Sequence, residues 1–294
     1  MSSCSDDEKI NEWDMNYIFI TPIDHLKPIP SYTLEHYSGE GVVGSVEFQF
    51  VAKLQKTAEK DVKVNLETEC EGISAENIVL TSQSAIIKAG SKISDTITIT
   101  IDNWSDIEDI ADKFETELKI NLANFESPSS DIAPSTSYTS IILNITKNIR
   151  RIDNKVSTGT PSEGTLQTNV KDWIFTFMNG VENANSNSVA GTGSSDVATN
   201  GVPFWLIVDF KEEKTLTGVQ TQHWASGYAP RKVEVFVSEN NRDWVPFKQG
   251  SVSTSGSRQY LKFEKPVKTR YLKYEMITVP SRVDITKFYV YSLE

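Results

Sequence analysis

Apolar and polar residues alternate one by one in short runs along the first half of the chain. The runs are NYIFI (16–20), VEFQFVAKL (46–54), VKVNLET (62–68), DTITITI (95–101), ELKINLA (117–123) and TSIILNI (139–145). A period of two residues is typical of strands with one buried face. About seven short strands with polar turns predict an immunoglobulin-like β-sandwich over residues 15–148. Within it, Ser105 and Glu108 form an S-x-x-E capping box, which predicts one short helix in SDIEDIADKFE (105–115).

The second half has the same period but a richer set of aromatic residues. Its runs are DWIFTF (172–177), PFWLIVDF (203–210), LTGVQTQ (216–222), RKVEVFVS (231–238), DWVPF (243–247), RQYLKFE (258–264), TRYLKYEM (269–276) and DITKFYVY (284–291). Eight strands without a helical period predict a jelly-roll sandwich over residues 172–294. Trp205, Trp244, Tyr271 and Tyr274 lie on these strands and are predicted to be core residues.

The segment between the two patterned halves contains STGTPSEGT (157–165), which is typical of a linker. We therefore place a linker at 149–171, after a short tether at 1–14 and the first sandwich. The Pro- and Ser-rich stretch 126–137 is interpreted as a loop, because a well-patterned strand follows it. The predicted fold class is all-β, with two successive sandwiches.

Charge is distributed unevenly along the 294 residues. Residues 204–294 carry 14 Lys or Arg and 10 Asp or Glu, a net of +4, whereas residues 1–203 carry 15 and 30, a net of −15. The overall charge of −11 argues against a nucleic-acid-binding protein, which needs clustered cations. The asymmetry is typical of two units with different roles, or of a solvated surface with a chance bias. No run of about 18 apolar residues occurs, so no membrane-spanning segment is predicted.

The start of the chain, MSSCSDDEKI, resembles the maturation point of a bacterial lipoprotein. Small residues precede Cys4, and an acidic run follows it, as in the export signals of Bacteroidetes surface lipoproteins. The resemblance implies lipidation of Cys4 and a location on the outer surface of the outer membrane. The alternative is an acidic tail with an incidental cysteine. The other cysteine is Cys70, so no disulfide framework or C-x-x-C metal pair is expected.

Two stretches resemble known families. VEFQFVAKLQKTAEKDVKVNLET followed by AIIKAGSKISDTITITI resembles domain of unknown function 1735, an N-terminal sandwich of Bacteroidetes surface lipoproteins. PFWLIVDF, GYAPRKVEVFVSENNRDWVPF, KPVKTRYLKYEM and ITKFYVY resemble the discoidin family. That family is also called coagulation factor five/eight type C and includes the family-32 carbohydrate-binding modules. The resemblance implies a galactose-binding-like jelly roll whose ligand loops cluster at one end.

Two departures from the discoidin pattern concern its structural calcium. The usual Asp-Gly-Asp stands here as Met178, Asn179 and Gly180, and the usual acidic residue before the last aromatic strand is Lys287. Calcium prefers several hard oxygen ligands. Asn183 or Asp196 could compensate, but we expect no cofactor and no bound metal.

The stretch QHWASGYAP (222–230) carries the candidate ligand contacts. A sugar has an apolar C–H face, on which Trp224 or Tyr228 could stack, and a hydroxyl rim, which Gln222, His223 or Arg231 could bond. Arg258 and Arg282 lie in turn-like stretches and could add anion contacts. The alternative is that Trp224 and Tyr228 pack beneath the loop. The Asn-, Ser- and Gly-rich stretch 179–202 is interpreted as a functional or a mobile loop.

Signatures of catalysis are absent from the sequence. It has no G-x-S-x-G, H-E-x-x-H, P-loop or G-x-G-x-x-G motif, and its three histidines are scattered. His25 and His36 are expected to be surface or packing residues. The predicted function is therefore a non-catalytic, glycan-binding surface lipoprotein that captures substrate for polysaccharide utilisation. The alternatives are a protein-binding adhesin and a structural component of the envelope.

Overall fold

A computed structural model of the chain describes residues 15–24, 26–190 and 195–293. Its regular structure is β-strand, interrupted by short 3-10 helices at Ala75–Asn77, Ser105–Ile107, Ser186–Ser188 and Ser226–Tyr228. No α-helix occurs in these three ranges. The chain divides into two units, of which the second comprises Tyr37–Gly39 and Arg150–Glu294. The predicted all-β class is confirmed.

The first unit is a two-sheet sandwich. Its strands are β1 (Asn16–Pro22), β2 (Ser31–Tyr37), β3 (Gly41–Val43), β4 (Val46–Leu54), β5 (Val62–Cys70), β6 (Val79–Leu80), β7 (Ser84–Ile87), β8 (Ile97–Ile101), β9 (Phe114–Glu126), β10 (Ile132–Pro134) and β11 (Ser140–Arg151). One sheet has the order β10-β1-β4-β8-β6 and the other β3-β2-β11-β9-β5-β7. The alternating positions Phe50, Ile99 and Leu143 point inward and are buried, as the period of two predicts. In β1 the buried residues are Ile18 and Ile20, and Tyr17 and Phe19 lie on the other face.

The predicted helix at 105–115 is a single 3-10 turn, Ser105–Ile107. Ser105 does not cap it, and the Asp106 carboxylate instead accepts hydrogen bonds from Ser74 and Asn77. Ile107 is buried in the sandwich core, so one turn is enough to place this apolar residue. The capping-box pattern was therefore a false signal for a longer helix.

The second unit holds the remaining strands. They are β12 (Val156–Thr158), β13 (Thr165–Gln167), β14 (Ile174–Phe177), β15 (Val197–Thr199), β16 (Phe204–Gln222), β17 (Lys232–Ser238), β18 (Val245–Pro246), β19 (Val252–Ser253), β20 (Arg258–Thr278), β21 (Val283–Ile285) and β22 (Lys287–Ser292). The range 149–171, interpreted above as a linker, contributes β12 and β13 to this sandwich. Both strands are only three residues long, so their Ser, Thr and Gly flanks outweigh them in the sequence pattern.

Two long strands build both layers of the second unit. The first half of β16 pairs with β14 and with the second half of β20, whereas its second half pairs with β22 and the first half of β20. The pairing shifts register between Asp209 and Lys214, where Lys211 adopts a left-handed φ of 72°. We call the two halves the β17 layer (β14, β16, β20, β17) and the β22 layer (β13, β22, β16, β20, β12).

An aromatic cluster fills the space between these layers. The rings of Tyr274 and Phe288 are 5.7 Å apart at 72°, and those of Phe175 and Phe288 are 6.2 Å apart at 76°. Edge-to-face contacts of this kind are favourable. Tyr274 is fully buried, as predicted. Trp205, Tyr271 and Trp244 are only half-buried, and Trp205 and Tyr271 face outward on the β17 layer, because each lies one position out of phase with its buried neighbours.

Candidate functional site

The candidate site is the loop 223–231, which joins β16 to β17 at one end of the second sandwich. Both ends of the loop are fixed by hydrogen bonds. The amide of His223 donates to Ser257 O at 2.8 Å, and the amide of Arg231 donates to Thr278 O at 2.8 Å. The carbonyl of Pro230 accepts from Gln259 Nε2 at 2.9 Å and from Thr254 Oγ1 at 2.8 Å. The backbone of the loop is therefore fixed at both ends.

Two aromatic side chains stand out from this loop. Trp224 is 58% exposed, and Tyr228, in the 3-10 turn Ser226–Tyr228, is 42% exposed. Neither side chain belongs to the hydrophobic core of the unit. The alternative that these rings pack beneath the loop is therefore wrong. An exposed aromatic ring on a fixed backbone is suited to stacking on an apolar ligand face, because little side-chain entropy is lost on binding.

His223 lies inside the protein and not on the rim of the site, with only 2% of its surface exposed. Its Nδ1 contacts the carbonyl oxygen of Asp284, which can only accept, so Nδ1 carries the proton. In the neutral ring Nε2 is then the acceptor for Thr221 Oγ1, at 3.1 Å. This arrangement corrects the expectation that His223 bonds a sugar, since both ring nitrogens are already used. The buried His223 ring instead anchors the first residue of the loop in the interior of the sandwich.

Asp284 completes this support. The side chain is fully buried, and its Oδ1 accepts the main-chain amide of Trp224 at 3.1 Å. Within the described residues, Oδ2 has no hydrogen-bond partner. The residue lies on β21, which pairs with β15 in a separate two-stranded sheet. A buried carboxylate thus holds the start of the exposed loop.

Gln222 and Arg258 are brought together by strand register. Gln222 is the direct partner of Arg258 on β20 and of Lys287 on β22. Residues directly opposite in an antiparallel sheet share a face, and neighbouring strands are about 4.8 Å apart. Because Thr221, Gln259 and Phe288 face the interior, this row faces outward. We call Arg258, Gln222 and Lys287 the cationic row.

A polar groove adjoins the cationic row at Arg258. It has a volume of about 460 Å³. Its lining is rich in hydroxyl groups and comprises Thr158, Gly159, Thr160, Ser253, Thr254, Ser255, Arg258, Gln259 and Tyr260. Hydroxyl groups both donate and accept hydrogen bonds, which suits a ligand that carries hydroxyl groups itself.

The remaining two predicted arginines differ from each other. Arg231 is the last residue of the loop and is exposed, and within the described residues its guanidinium has no ion-pair partner. Arg282 donates to Glu182 at 3.0 Å and to Asp196 at 3.1 Å. The Glu182 hydrogen bond, more than that of Asp196, raises the pKa of Arg282. Arg282 therefore ties the 179–202 loop to the sandwich and is not available to an anionic ligand, contrary to the prediction.

A calcium ion does not fit the donor set at this end of the domain. The Asp196 carboxylate is engaged by Arg282, and Lys287 brings a positive charge. Over the described ranges, no group of three or more His, Cys, Asp or Glu side chains could hold a metal ion.

Sequence reasoning missed three contributors to the site. Asp284 and Tyr260 sit within strand patterns, where a polar or aromatic residue is not unusual. Lys287 was considered only for its effect on calcium. The signal that could have revealed Lys287 and Tyr260 is the phase of alternation, since both occupy outward positions of their strands. The burial of Asp284 has no counterpart in the sequence.

The other singled-out residues lie elsewhere. Cys4 and His25 are outside the described residues. His36 is buried in the first sandwich, where its Nδ1 lies 3.3 Å from Lys147 Nζ. A cavity of about 420 Å³ in that unit is lined mainly by polar residues, together with Ala58, Pro128 and Ile132, and by no aromatic ring. In the described part of the chain, no helix has the length and apolarity to cross a membrane.

Two protein-family models match this chain, one near each end of the sequence. Residues 167–288 match the model of the F5/8 type C domain. Residues 1–56 match a different model from the one expected, a domain of unknown function, DUF4999. The resemblance to domain of unknown function 1735 was therefore wrong for this part of the chain. It relied on alternating strand residues, which many sandwich families share.

Several solved structures are similar to this chain or to part of it at low sequence identity. A two-domain protein of unknown function from Bacteroides fragilis is 18% identical, with a TM-score of 0.42, and the match covers 94% of each chain. The module CBM32-1 from a family 31 glycoside hydrolase of Clostridium perfringens is 19% identical, with a TM-score of 0.34, over 42% of this chain and 97% of the module. The family 32 carbohydrate-binding module of Streptococcus pneumoniae EndoD is 12% identical, with a TM-score of 0.32, over 46% and 99%.

No curated protein sequence matches the chain. The family match at residues 167–288 agrees with the two-layer sandwich described above and with the resemblance of its strand sequences. Residues 167–288, which lie in the second unit, therefore match the F5/8 type C domain in sequence and form a discoidin-like β-sandwich.

Proposed function

We propose that this protein is a non-catalytic carbohydrate-binding protein and that the loop 223–231 makes the main contact with a glycan. The observation that carries the proposal is the exposure of Trp224 and Tyr228 on a backbone fixed at both ends. The polar groove and Gln222 lie next to them and offer hydrogen bonds to hydroxyl groups. The F5/8 type C match supports this function, because family-32 carbohydrate-binding modules are similar to this domain.

A non-catalytic role agrees with the chemistry of the loop. His223 is the single histidine of the domain in the sequence, and both of its ring nitrogens are bonded inside the protein. It therefore does not serve as a general base toward a ligand at the surface. Glycan capture needs only stacking and hydrogen bonds, which the surface provides.

The wider biological role is part of the same proposal. The protein is anchored through lipidated Cys4 to the outer surface of the outer membrane and holds glycan there for polysaccharide utilisation. The motif around Cys4 supports this location. Incorporation of a fatty-acid label into the protein expressed from its natural gene tests it, and Cys4→Ser should abolish the label. A label that persists in Cys4→Ser contradicts the anchor.

A glycan array with the full chain tests carbohydrate binding. The intact protein should select one class of sugar, with dissociation constants between about 1 μM and 1 mM, as expected for a shallow site. Trp224→Ala should weaken binding about tenfold, a loss of about 1.4 kcal/mol. Trp244→Ala is the matched control, because Trp244 precedes β18 at the other end of β17.

The readout is the ratio of the two variants' affinities, with thermal unfolding recorded for both. Equal affinity of Trp224→Ala and the intact protein would overturn the role of the loop. Absence of any glycan ligand, together with capture of a polypeptide through the same loop, would favour the adhesin alternative.

A further inference from the structure

The cationic row carries charge that the protein itself does not neutralise. Within the described residues, neither the Arg258 guanidinium nor the Lys287 ammonium has an ion-pair partner. Some cations of the same domain are paired: Arg270 is bonded to Asp209 at 3.0 Å, and Lys273 lies 2.7 Å from Glu275. The row therefore offers two positive charges to a ligand, in a chain with 40 acidic and 29 basic residues.

The face around the row contains no carboxylate among the positions in register with it. The outward positions of the three central strands, from Gly218 to Gln222 on β16 and opposite them, are Gly218, Gln220, Gln222, Arg258, Tyr260, Lys262, Lys287, Tyr289 and Tyr291. This face therefore combines positive charge, amide groups and tyrosines. Such a surface attracts an anion, since none of these in-register positions carries an acidic group that would repel it.

The loop 159–164 covers part of this face and leaves the row accessible. Pro161 lies over Gly218, since a Cβ placed on that glycine would come within 2.5 Å of Pro161 Cγ. Gln220 and Tyr289 are buried, whereas Arg258 is exposed and Gln222 and Lys287 are half-buried. The accessible strip is the end of the face that continues directly into the Trp224 loop.

Distances between these groups suit one or two sugar units. The three members of the row are spaced about 4.8 Å apart, and Trp224 follows Gln222 by two residues, about 7 Å of extended chain. A guanidinium can bind a carboxylate or sulfate with two parallel hydrogen bonds, and an ammonium adds a second positive charge. The Gln222 amide and the hydroxyls of the groove can bond the neutral hydroxyl groups of the same sugar.

The charge of the whole chain favours a sugar acid over a nucleic acid. A duplex or single strand presents a dense row of phosphates and needs many cations. This row offers two cations, and residues 1–203 carry a net charge of −15. A glycan with scattered carboxylate or sulfate groups meets the row without comparable repulsion.

We propose that the cationic row is a subsite for an acidic sugar unit, carboxylated or sulfated, next to the stacking contact at Trp224. The inference rests on the proposed carbohydrate-binding function and specifies its ligand class. It assigns Arg258 and Lys287 to the anion, Gln222 to a neighbouring hydroxyl, and Trp224 to the apolar face of the adjoining unit.

Matched polymers test the subsite with the full chain. Alginate, polygalacturonate and chondroitin sulfate are each compared, by affinity electrophoresis and calorimetry, with the same polymer after carboxyl reduction or desulfation. At least one acidic polymer should bind about tenfold more tightly than its neutral form, and the difference should shrink as ionic strength rises. Arg258→Gln combined with Lys287→Gln should remove the preference.

Arg242→Gln is the control, because Arg242 lies in the loop after β17 at the other end of the domain. It removes one positive charge and should leave the preference for the acidic polymer intact. A loss of the preference in Arg242→Gln equal to that in the double variant of Arg258 and Lys287 would assign the effect to net charge and overturn the subsite. Single-stranded DNA that binds as tightly as the best acidic polymer would overturn the sugar class.

Failure of the inference and failure of the proposed function give different results. If neutral polymers bind in a Trp224-dependent manner and no acidic polymer in the panel is preferred, the subsite is wrong and carbohydrate binding stands. If no polymer of either kind binds, both are wrong.

Discussion

The main-chain amide of Trp224 donates a hydrogen bond to Oδ1 of Asp284, 60 positions later in the chain. One residue is the most exposed aromatic group of the loop 223–231, and the other is a fully buried carboxylate. This bond fixes the backbone at the start of the loop 223–231 to a side chain in the interior of the sandwich. The position of the exposed Trp224 therefore depends on a residue that has no exposed surface itself.

Removal of the Asp284 carboxylate should loosen the loop and lower stability. Asp284→Ala leaves the Trp224 amide without its acceptor, and the free energy of unfolding should fall by about 1–3 kcal/mol. Glycan affinity should fall as well, measured at a temperature where the variant remains folded. Asp284→Asn keeps an oxygen that can accept from Trp224, so its affinity should lie closer to that of the intact protein.

Asp172→Ala serves as the control for this substitution, because Asp172 is exposed in the same domain. It should change neither stability nor affinity. Asp284→Ala with unaltered glycan affinity would show that the Trp224 loop is held by other contacts.

The ion pair of Asp209 and Arg270 predicts a pH dependence of stability. Hydrogen bonds from the Arg270 guanidinium, assisted by the Lys211 amide, hold the pKa of Asp209 below its ordinary value. Because the folded state lowers this pKa, the pair stabilises the protein above the unfolded-state pKa of about 3.9 and loses that effect as pH falls further. Arg270→Gln should cost about 1 kcal/mol or less at pH 7.

Urea unfolding at pH 7, 5, 4 and 3 measures this effect. The difference in unfolding free energy between the intact protein and Arg270→Gln should be constant down to about pH 5 and should decrease at pH 4 and 3. A difference that grows as pH falls would contradict the assignment. In an Asp209→Asn background, the effect of Arg270→Gln on the unfolding free energy should not change with pH between 7 and 3.

Gly218 should tolerate no side chain. A Cβ at this position would lie 2.2 Å from Leu261 O and 2.5 Å from Pro161 Cγ. Gly218→Ala must therefore displace a neighbouring strand or the 159–164 loop, and overpacking of this kind costs about 1–3 kcal/mol. Gly227→Ala is the control, since a Cβ there meets no atom within 4 Å. Equal melting temperatures of the two variants would refute the close approach.

Phe288 should be among the costliest positions to truncate. Its buried ring contacts both Tyr274 and Phe175, so Phe288→Ala should lower the unfolding free energy by about 3–5 kcal/mol. Phe236→Ala, on the outer face of the β17 layer, should cost much less because this ring is half-buried. Chemical denaturation of the two variants side by side measures the difference.

The sequence predicted the strands well because alternation is a local signal. The three alternating valines of RKVEVFVS, Val233, Val235 and Val237, are all buried, as their spacing indicates. Aromatic character alone did not show which residues are buried, since Trp205 faces outward and Tyr274 faces the core. The position of each residue in the alternation of its strand does show this, and that position can be read from the sequence.

Long-range pairing explains what the sequence could not predict. The cationic row exists because Gln222, Arg258 and Lys287 meet in register from three separate strands. His223 is buried because Asp284 and Thr221 bond both sides of its ring. Neither relationship is visible from residues close together in the chain. The prediction that Trp224 is exposed could be made only as one of two alternatives.

The two longest strands, β16 and β20, pass unbroken through both layers of the second sandwich. A pull exerted on the Trp224 loop by a captured polymer enters β16 directly through its last residues. The load is then carried along covalent backbone to the far end of the domain, and it is shared with β20 through the ladder of hydrogen bonds between them. Because the same two strands run through both layers, sliding of one layer past the other would require their hydrogen-bonded ladder to break.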